Sequence, residues 1–271
     1  MKIKLVATDL DDTLLQDDLT LSERNIEAIR QAKEQGVYFT FATGRMPASA
    51  RPYAEQLGLD IPIITYNGAM IQEAISGEIL YRKVIPVKLA REVISYLLGQ
   101  GAHLHMYRQD HVYVQKMNGL SEAYAQKTRV PVEEGDLIEL LSEEKDGVEK
   151  IIIFTSPEEL EIWRGKIQER FPGQLHLTSS KPYFLELNHP EVNKGRTLLN
   201  FAHGLGIKPE EIMAIGDSLN DMEMIRCAGL GVAVENALQE VKDAADVVTA
   251  SNEEDGVAKA IEEYVLLKHK R

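Results

Sequence analysis

KLVATDLDDTLL, residues 4–15, opens on an apolar run, Leu5-Val6-Ala7, and then places three carboxylates in four positions: Asp9, Asp11 and Asp12. The apolar run reads as a buried strand. Desolvating a lone carboxylate is expensive, so such a strand has to end near Asp9. Its acidic residues then sit at the C-terminal mouth, where a ligand or a metal can compensate them. Thr13 adds a hydroxyl just beyond, and Leu14-Leu15 return to apolar surroundings. An Asp-rich solvated turn is the competing reading of DLDDT taken alone.

The chain around this stretch alternates strand and helix. A helix is expected over 22–35, capped by Ser22 or Thr20 and stopped at Gly36. VYFTFA (37–42) reads as a second buried strand ending in Thr43-Gly44-Arg45. A helix over 47–57 follows, and IPIIT (61–65) makes a third strand that ends in Tyr66-Asn67-Gly68. This alternation predicts a parallel sheet with helices on both faces. Residues 69–73 and 78–83 read as a hairpin. From Pro86 the texture changes to antiparallel-looking strand pairs (102–107 with 111–115, 175–180 with 183–188), a strand over 148–156, and helices over 87–98, 120–128 and 157–171. After Asn188 the first texture returns: a helix from Asn193-Lys194-Gly195, a strand IMAIG (212–216) ending in Asp217, and further alternating elements to a closing helix over 256–267. The expectation is an α/β domain in two pieces, 1–83 and 189–271, with an α+β domain inserted at 84–188.

A net charge of −13 speaks against nucleic acid or an anionic membrane surface as a partner. The single cysteine, Cys227, permits no intrachain disulfide and suits a reducing compartment. Asp9 interrupts the only apolar stretch near the start, so no signal peptide is expected, and no run approaches the roughly 18 residues of a membrane span. The expected location is the cytoplasm. The chain carries no signal for its oligomeric state.

Ligands of an open parallel sheet bind beyond the carboxyl ends of its strands. Three predicted strands end in Asp9/Asp11, Thr43-Gly44 and Asp217, which places these on one edge. Asn220 and Asp221 lie in the first turn after Asp217. Lys194 lies at a helix start, where free N–H groups and the dipole favour an anion. Clustered carboxylates repel unless a cation sits among them, and oxygen-only ligands favour Mg²⁺ over Zn²⁺. Mg²⁺ typically leaves positions for phosphate oxygens, so a phosphoryl group is the natural ligand.

DLDDT (9–13), ATGR with Thr43, NKG with Lys194, and GDSLND (216–221) resemble, in order, the four signature motifs of the haloacid dehalogenase-like phosphatases. The inserted block, with the NGA turn at 67–69, resembles the C2B cap of the Cof-type subgroup. Position 12 is Asp where many relatives have Gly. The resemblance implies a Rossmann-like doubly wound core with an inserted α+β cap domain. It implies that Asp9 is the nucleophile, forming an aspartyl-phosphate, and that Asp11 is the general acid and then the base. It implies Mg²⁺ held by the Asp9 carboxylate, the Asp11 carbonyl and Asp217. Thr43, Gly44, Lys194, Asn220 and the Leu10 N–H are then phosphate ligands, and Asp221 orients Lys194 or a metal-bound water. Asn67 either lines the substrate entrance or supplies a turn. The implied reaction is Mg²⁺-dependent hydrolysis of a small phosphorylated metabolite, such as a sugar phosphate or phosphorylated cofactor. A phosphomutase acting on sugar phosphates is the alternative, and a non-catalytic phosphate-sensing module a more distant one.

Other candidates have plainer readings. His103, His105 and His111 share strand faces but lack a nearby Cys or Glu to complete a zinc set, so they read as half-buried strand residues, with His105 or Tyr107 in reach of a leaving group. Arg45 reads as a helix-start residue, and Cys227 and Trp163 as interior packing. The pairs Glu133-Glu134 and Glu143-Glu144 read as solvated faces.

Overall fold

A computed structural model describes residues 2–142 and 145–267. The chain divides into two compact units. One takes in the chain up to Gly44, Ala50–Leu80, and the chain from Asn193 onward; the other takes in Arg45–Ser49 and Tyr81–Val192.

The first unit is built on a five-stranded parallel sheet. Its order is Val247–Val248, Leu230–Ala233, Ile212–Gly216, Leu5–Thr8, Tyr38–Phe41. The Ala42–Ile64 bridge adds Ile63–Thr65 in the same direction. Leu5–Thr8 is central, and all its residues are buried, which is why LVAT carries no charge on either face. Val6, Phe39 and Met213 share one core with Ile29 and Ala32 of the Glu23–Glu34 helix and with Val257 and Ile261 of the Gly256–Tyr264 helix. Asn25 ties these helices together: its Nδ2 donates to Leu14 O at 3.2 Å, and its Oδ1 accepts from Ala258 N–H at 2.8 Å. The Ser22 hydroxyl caps the first helix by accepting from Asn25 N–H.

Chain order leaves the central strand toward Tyr38–Phe41 on one side, while its other neighbour, Ile212–Gly216, leads on to Leu230–Ala233. Such a reversal of strand order marks the crevice where open α/β sheets bind ligands. Met70–Gln72 pairs antiparallel with Ile63–Thr65 and is followed by Ile79–Arg82, the hairpin that the sequence leads one to expect.

In the second unit a six-stranded sheet runs His176–Thr178, Phe184–Asn188, Lys150–Phe154, His103–Arg108, His111–Val114, Val132–Glu134. It is antiparallel except for its last pair. Leu104, Met106, Ile151, Ile153, Leu185 and Leu187 form one core with Val93, Ile94 and Leu97 of the Val87–Gly99 helix and Ile167 of the Pro157–Arg170 helix. Alternate strand positions carry His105, Tyr107, Lys150 and Glu186 instead, and the Lys150–Glu186 pair is buried at 3.0 Å. The short strand Val132–Glu134 and the Leu137–Leu140 helical turn have no counterpart in the sequence reading, because both are too brief to show a period.

Several single-residue expectations change. His105 is fully buried rather than half-buried, because its ring sits among Phe154, Tyr124 and His103. His111 is exposed beside Glu133. Trp163 only flanks the second unit's core, with Lys166 Nζ over its ring at 4.7 Å. Cys227 is partly exposed, its Sγ lying 3.7 Å from Gly195 O. Glu133 and Glu134 are exposed, while Glu143 and Glu144 lie outside the described residues. Among the described residues, no helix is long and apolar enough to cross a membrane.

Candidate active site

Asp9 stands one residue beyond the central strand, its N–H donating to Ile215 O at 2.9 Å. Because Thr8 pairs with Ile215, the next residues on these neighbouring parallel strands, Asp9 and the segment leading to Asp217, emerge side by side. The chain then closes a tight turn in which Leu15 N–H reaches back to Leu10 O at 2.8 Å. Asp11 lies in extended backbone (φ −71°, ψ 130°), and Asp12 takes the left-handed region at φ 59°. That conformation is natural for Gly and tolerated by Asp, which gives the residue at position 12 its physical reason.

Lys194 is entirely buried, and its Nζ bonds Oδ1 of both Asp9 and Asp221 at 2.7 Å. Local structure aims it there. Asn193 caps the Lys194–Gly204 helix, its Oδ1 accepting from Arg196 N–H at 2.7 Å. A Cβ on Gly195 would lie 2.5 Å from the Glu223 backbone, so only glycine lets this helix rest on Met222–Cys227. Gly216 is required in the same way: a Cβ would meet the Asp221 side chain at 2.5 Å. Asp221 tucks under the loop, and its Oδ2 accepts from the N–H groups of Asp217 and Ser218 at 3.0 and 3.1 Å.

The Asp217 carboxylate is gripped from both sides. Thr13 Oγ1 donates to its Oδ1 at 2.8 Å, and Ser218 Oγ donates to its Oδ2 at 2.5 Å. Sequence reading noted only a hydroxyl at Thr13 and passed over Ser218; adjacency to an acidic strand end was the available signal.

The ligand atoms of Asp9, Asp217 and Asp221 all lie within 4.8 Å of one another, and all three side chains are buried. One ammonium against three carboxylates leaves two negative charges uncompensated. Burial, with repulsion from Asp221, Asp217 and Asp11, pushes the Asp9 carboxyl well above its ordinary range despite Lys194. Burial and Asp221 push Asp217 up to about 7, against the opposing hydrogen bonds of Ser218 and Thr13. Burial would lower Lys194, but Asp221 and Asp9 outweigh it and keep the ammonium charged. An oxygen-only donor set with a deficit of two positive charges fits a hard divalent cation. With Asp221 committed to Lys194 and two backbone N–H groups, Asp9 and Asp217 have the lone pairs to offer it.

The remaining expected residues of the first unit lie on its strand ends and the turns that follow them. Leu10 is fully buried, Thr43 is buried and Gly44 half-buried. Thr43 N–H donates to Ile64 O, and its carbonyl accepts from Asn67 N–H, both at 2.9 Å. Asn220 is buried, its Nδ2 donating to Asn67 Oδ1 at 3.1 Å. Asn67 supplies a turn at φ 60° and also makes that side-chain contact. Asp11 is partly exposed. Arg45 belongs to the second unit, with its guanidinium on Ser49 Oγ at 3.0 Å.

The family model of haloacid dehalogenase-like hydrolases matches residues 6–261. A 5-amino-6-(5-phospho-D-ribitylamino)uracil phosphatase of Bacillus subtilis is 35% identical over 267 residues, covering 97% of this chain and 96% of its own. The crystal structure of a haloacid dehalogenase-like hydrolase from Bacteroides thetaiotaomicron superposes with a TM-score of 0.85 at 31% identity, over 97% of this chain and 99% of that one. A sugar phosphatase of subclass IIB superposes with a TM-score of 0.84 at 26% identity, over 96% of this chain and 98% of that one. Matched over nearly its whole length, the chain belongs to the haloacid dehalogenase-like hydrolases, as a phosphatase of their Cof-type branch.

Proposed function

We propose that the chain hydrolyses small phosphorylated metabolites, with Mg²⁺, through a phosphoryl group carried transiently on Asp9. The observation that carries this reading is the buried contact of Asp9 with Lys194 inside a carboxylate cluster that lacks two positive charges. A carboxylate attacking a phosphate dianion is opposed by like charge, so a nucleophile needs such neutralisation beside it.

In this reading the Asp9 carboxylate attacks phosphorus and forms an aspartyl-phosphate, splitting one hard hydrolysis into two easier steps. Asp11, two residues on, protonates the leaving alcohol and then takes a proton from the incoming water. Lys194 neutralises negative charge on the transferring group, and Thr43, Gly44, Asn220 and the Leu10 N–H bind its oxygens. Asp221 holds Lys194 in line, while Thr13 and Ser218 hold Asp217. The Asp9 and Asp217 carboxylates and the Asp11 carbonyl would hold Mg²⁺, which when bound would supply the missing positive charge and Lewis-acid polarisation of the phosphoryl group. Residues 1–83 and 189–271 form the catalytic body, and 84–188 the cap that chooses the leaving group.

The substrate class is supported by the relatives, one a phosphatase of a phosphorylated ribitylaminouracil and one a sugar phosphatase. The test is release of p-nitrophenol from p-nitrophenyl phosphate with Mg²⁺, followed by a screen of phosphorylated metabolites. EDTA and Asp9→Asn should each abolish turnover. Full activity in Asp9→Asn removes Asp9 as nucleophile.

A further inference from the structure

Where Ile63–Thr65 ends, Tyr66, Asn67 and Gly68 follow one another at φ of 52, 60 and 98°. Three successive left-handed residues, one of them aromatic, make a costly backbone that persists only where the surroundings over-determine it. The surroundings do so here. Asn67 N–H donates to Thr43 O at 2.9 Å, and Gly68 O accepts from Thr197 Oγ1 at 2.8 Å. A Cβ on Gly68 would lie 2.7 Å from Asn193 O, so the turn presses on the first residues of the Lys194 helix.

Asn67, 1% exposed, is thereby fixed between the Thr43 turn and the 216–221 loop, and its side chain takes hold of Asn220. The other end of the Asn220 amide, at 3% residue exposure, has no partner among the described residues. A buried amide gripped at one end and unpaired at the other costs stability unless a ligand completes it. Asn220 adjoins Asp221 in a loop whose Asp217 joins Asp9 in the carboxylate cluster.

We propose that Asn67 is a positioning residue for phosphoryl binding: it holds one end of the Asn220 amide so that the other end meets the phosphoryl group. The proposal rests on the phosphatase reading above. With Nδ2 on Asn67 the free end of Asn220 is its oxygen, an acceptor like the phosphoryl oxygens, so the phosphate contact needs both amides turned over, an orientation that the same heavy-atom positions allow. In that orientation the contact persists with Asn67 as donor, and the Asn220 NH₂ faces a phosphoryl oxygen. A turn alone would need only a residue tolerant of positive φ, which glycine supplies. The side chain of Asn67 is therefore the part to test.

The experiment is a double-mutant cycle of wild type, Asn67→Gly, Asn220→Ala and the pair, all with Mg²⁺. Glycine keeps the left-handed backbone and removes the side chain that grips Asn220. The readouts are kcat and KM for p-nitrophenyl phosphate and competitive inhibition by inorganic phosphate. Asn67→Gly is expected to lose about tenfold in kcat/KM and to weaken phosphate inhibition by a similar factor. In the Asn220→Ala background it should change either by less than about twofold, because its partner is gone. Equal losses in both backgrounds, or no loss in Asn67→Gly alone, overturn the positioning role. Should Asn67→Gly fail to fold, Asn67→Ala runs through the same cycle with the same criteria. No hydrolysis by wild type overturns the phosphatase reading itself; hydrolysis with additive losses overturns only the role of Asn67.

Discussion

Lys194 Nζ lies 2.7 Å from Oδ1 of Asp9, although 185 positions of sequence separate the two residues. The contact is buried and is completed by Asp221, so one ammonium stabilises two carboxylates that would otherwise repel. Removing the ammonium leaves buried charge without a partner, which typically costs about 3–5 kcal/mol. Lys194→Met is therefore expected to lower unfolding stability by about 3 kcal/mol at pH 8. The loss should be smaller at pH 5, because burial raises the Asp9 carboxyl and favours its neutral form as pH falls. Turnover should fall at least about a hundredfold, as for other removed electrostatic donors. Urea unfolding at the two pH values, with a turnover assay, checks this.

Cation binding should be visible without any assay of activity. Asp217 titrates near 7 in the folded chain, against 3.8 ordinarily, and Asp9 is raised as well. The folded state thus holds protons that the unfolded state releases above about pH 4. The stability tied to these protons is present below that pH and is lost as pH rises through 7. In the proposed reading a divalent cation replaces the protons. Mg²⁺ should raise the thermal midpoint at pH 8 and have little effect at pH 5, measured as the difference with and without metal. Equal shifts at both values would move the cation away from these carboxylates.

His105 makes the opposite contribution at low pH. Burial, with His103 and Lys150 nearby, pushes its pKa down to about 3, so it is neutral when folded and takes up a proton when unfolded. Stability from this residue falls as pH drops from about 6.5 toward 3, by at most about 1.4 kcal/mol per pH unit. His105→Phe should flatten that acid limb of the stability curve in urea titrations. An unchanged slope would show that His105 is not the group responsible.

The Lys194 helix depends on a residue with no side chain. A methyl at position 195 would stand 2.5 Å from the backbone of Glu223, where nothing flexible can yield. Gly195→Ala should cost about 1–3 kcal/mol by overpacking and should reduce turnover by displacing Lys194. Gly165, with open space around its Cβ position, is the control: Gly165→Ala should cost nothing, since alanine is the better helix former.

Much of the fold was legible because its strands are short apolar runs closed by polar residues. Leu5–Thr8 stops before Asp9, and Ile212–Gly216 stops before Asp217, because a buried strand cannot carry charge past its end. Helix limits were readable from Ser22 and Asn193, whose side chains cap the first turn. Val132–Glu134 was not readable, since three residues with two exposed glutamates show no alternation. Nor was the burial of His105, which depends on rings brought from other strands and a helix.

The order of acidic, hydroxyl and basic residues along the chain was enough to name strand ends and a parallel sheet, because these follow from local burial and spacing, while the four motifs carried the family resemblance. Which oxygens meet which donors was decided only by tertiary structure. Thr13 and Ser218 converge on Asp217, and Asn67 on Asn220, across separations that no local pattern encodes. Side-chain geometry to a tenth of an ångström is set by how helices rest on one another, as at Gly195 and Gly68, and packing of that kind belongs to the folded whole.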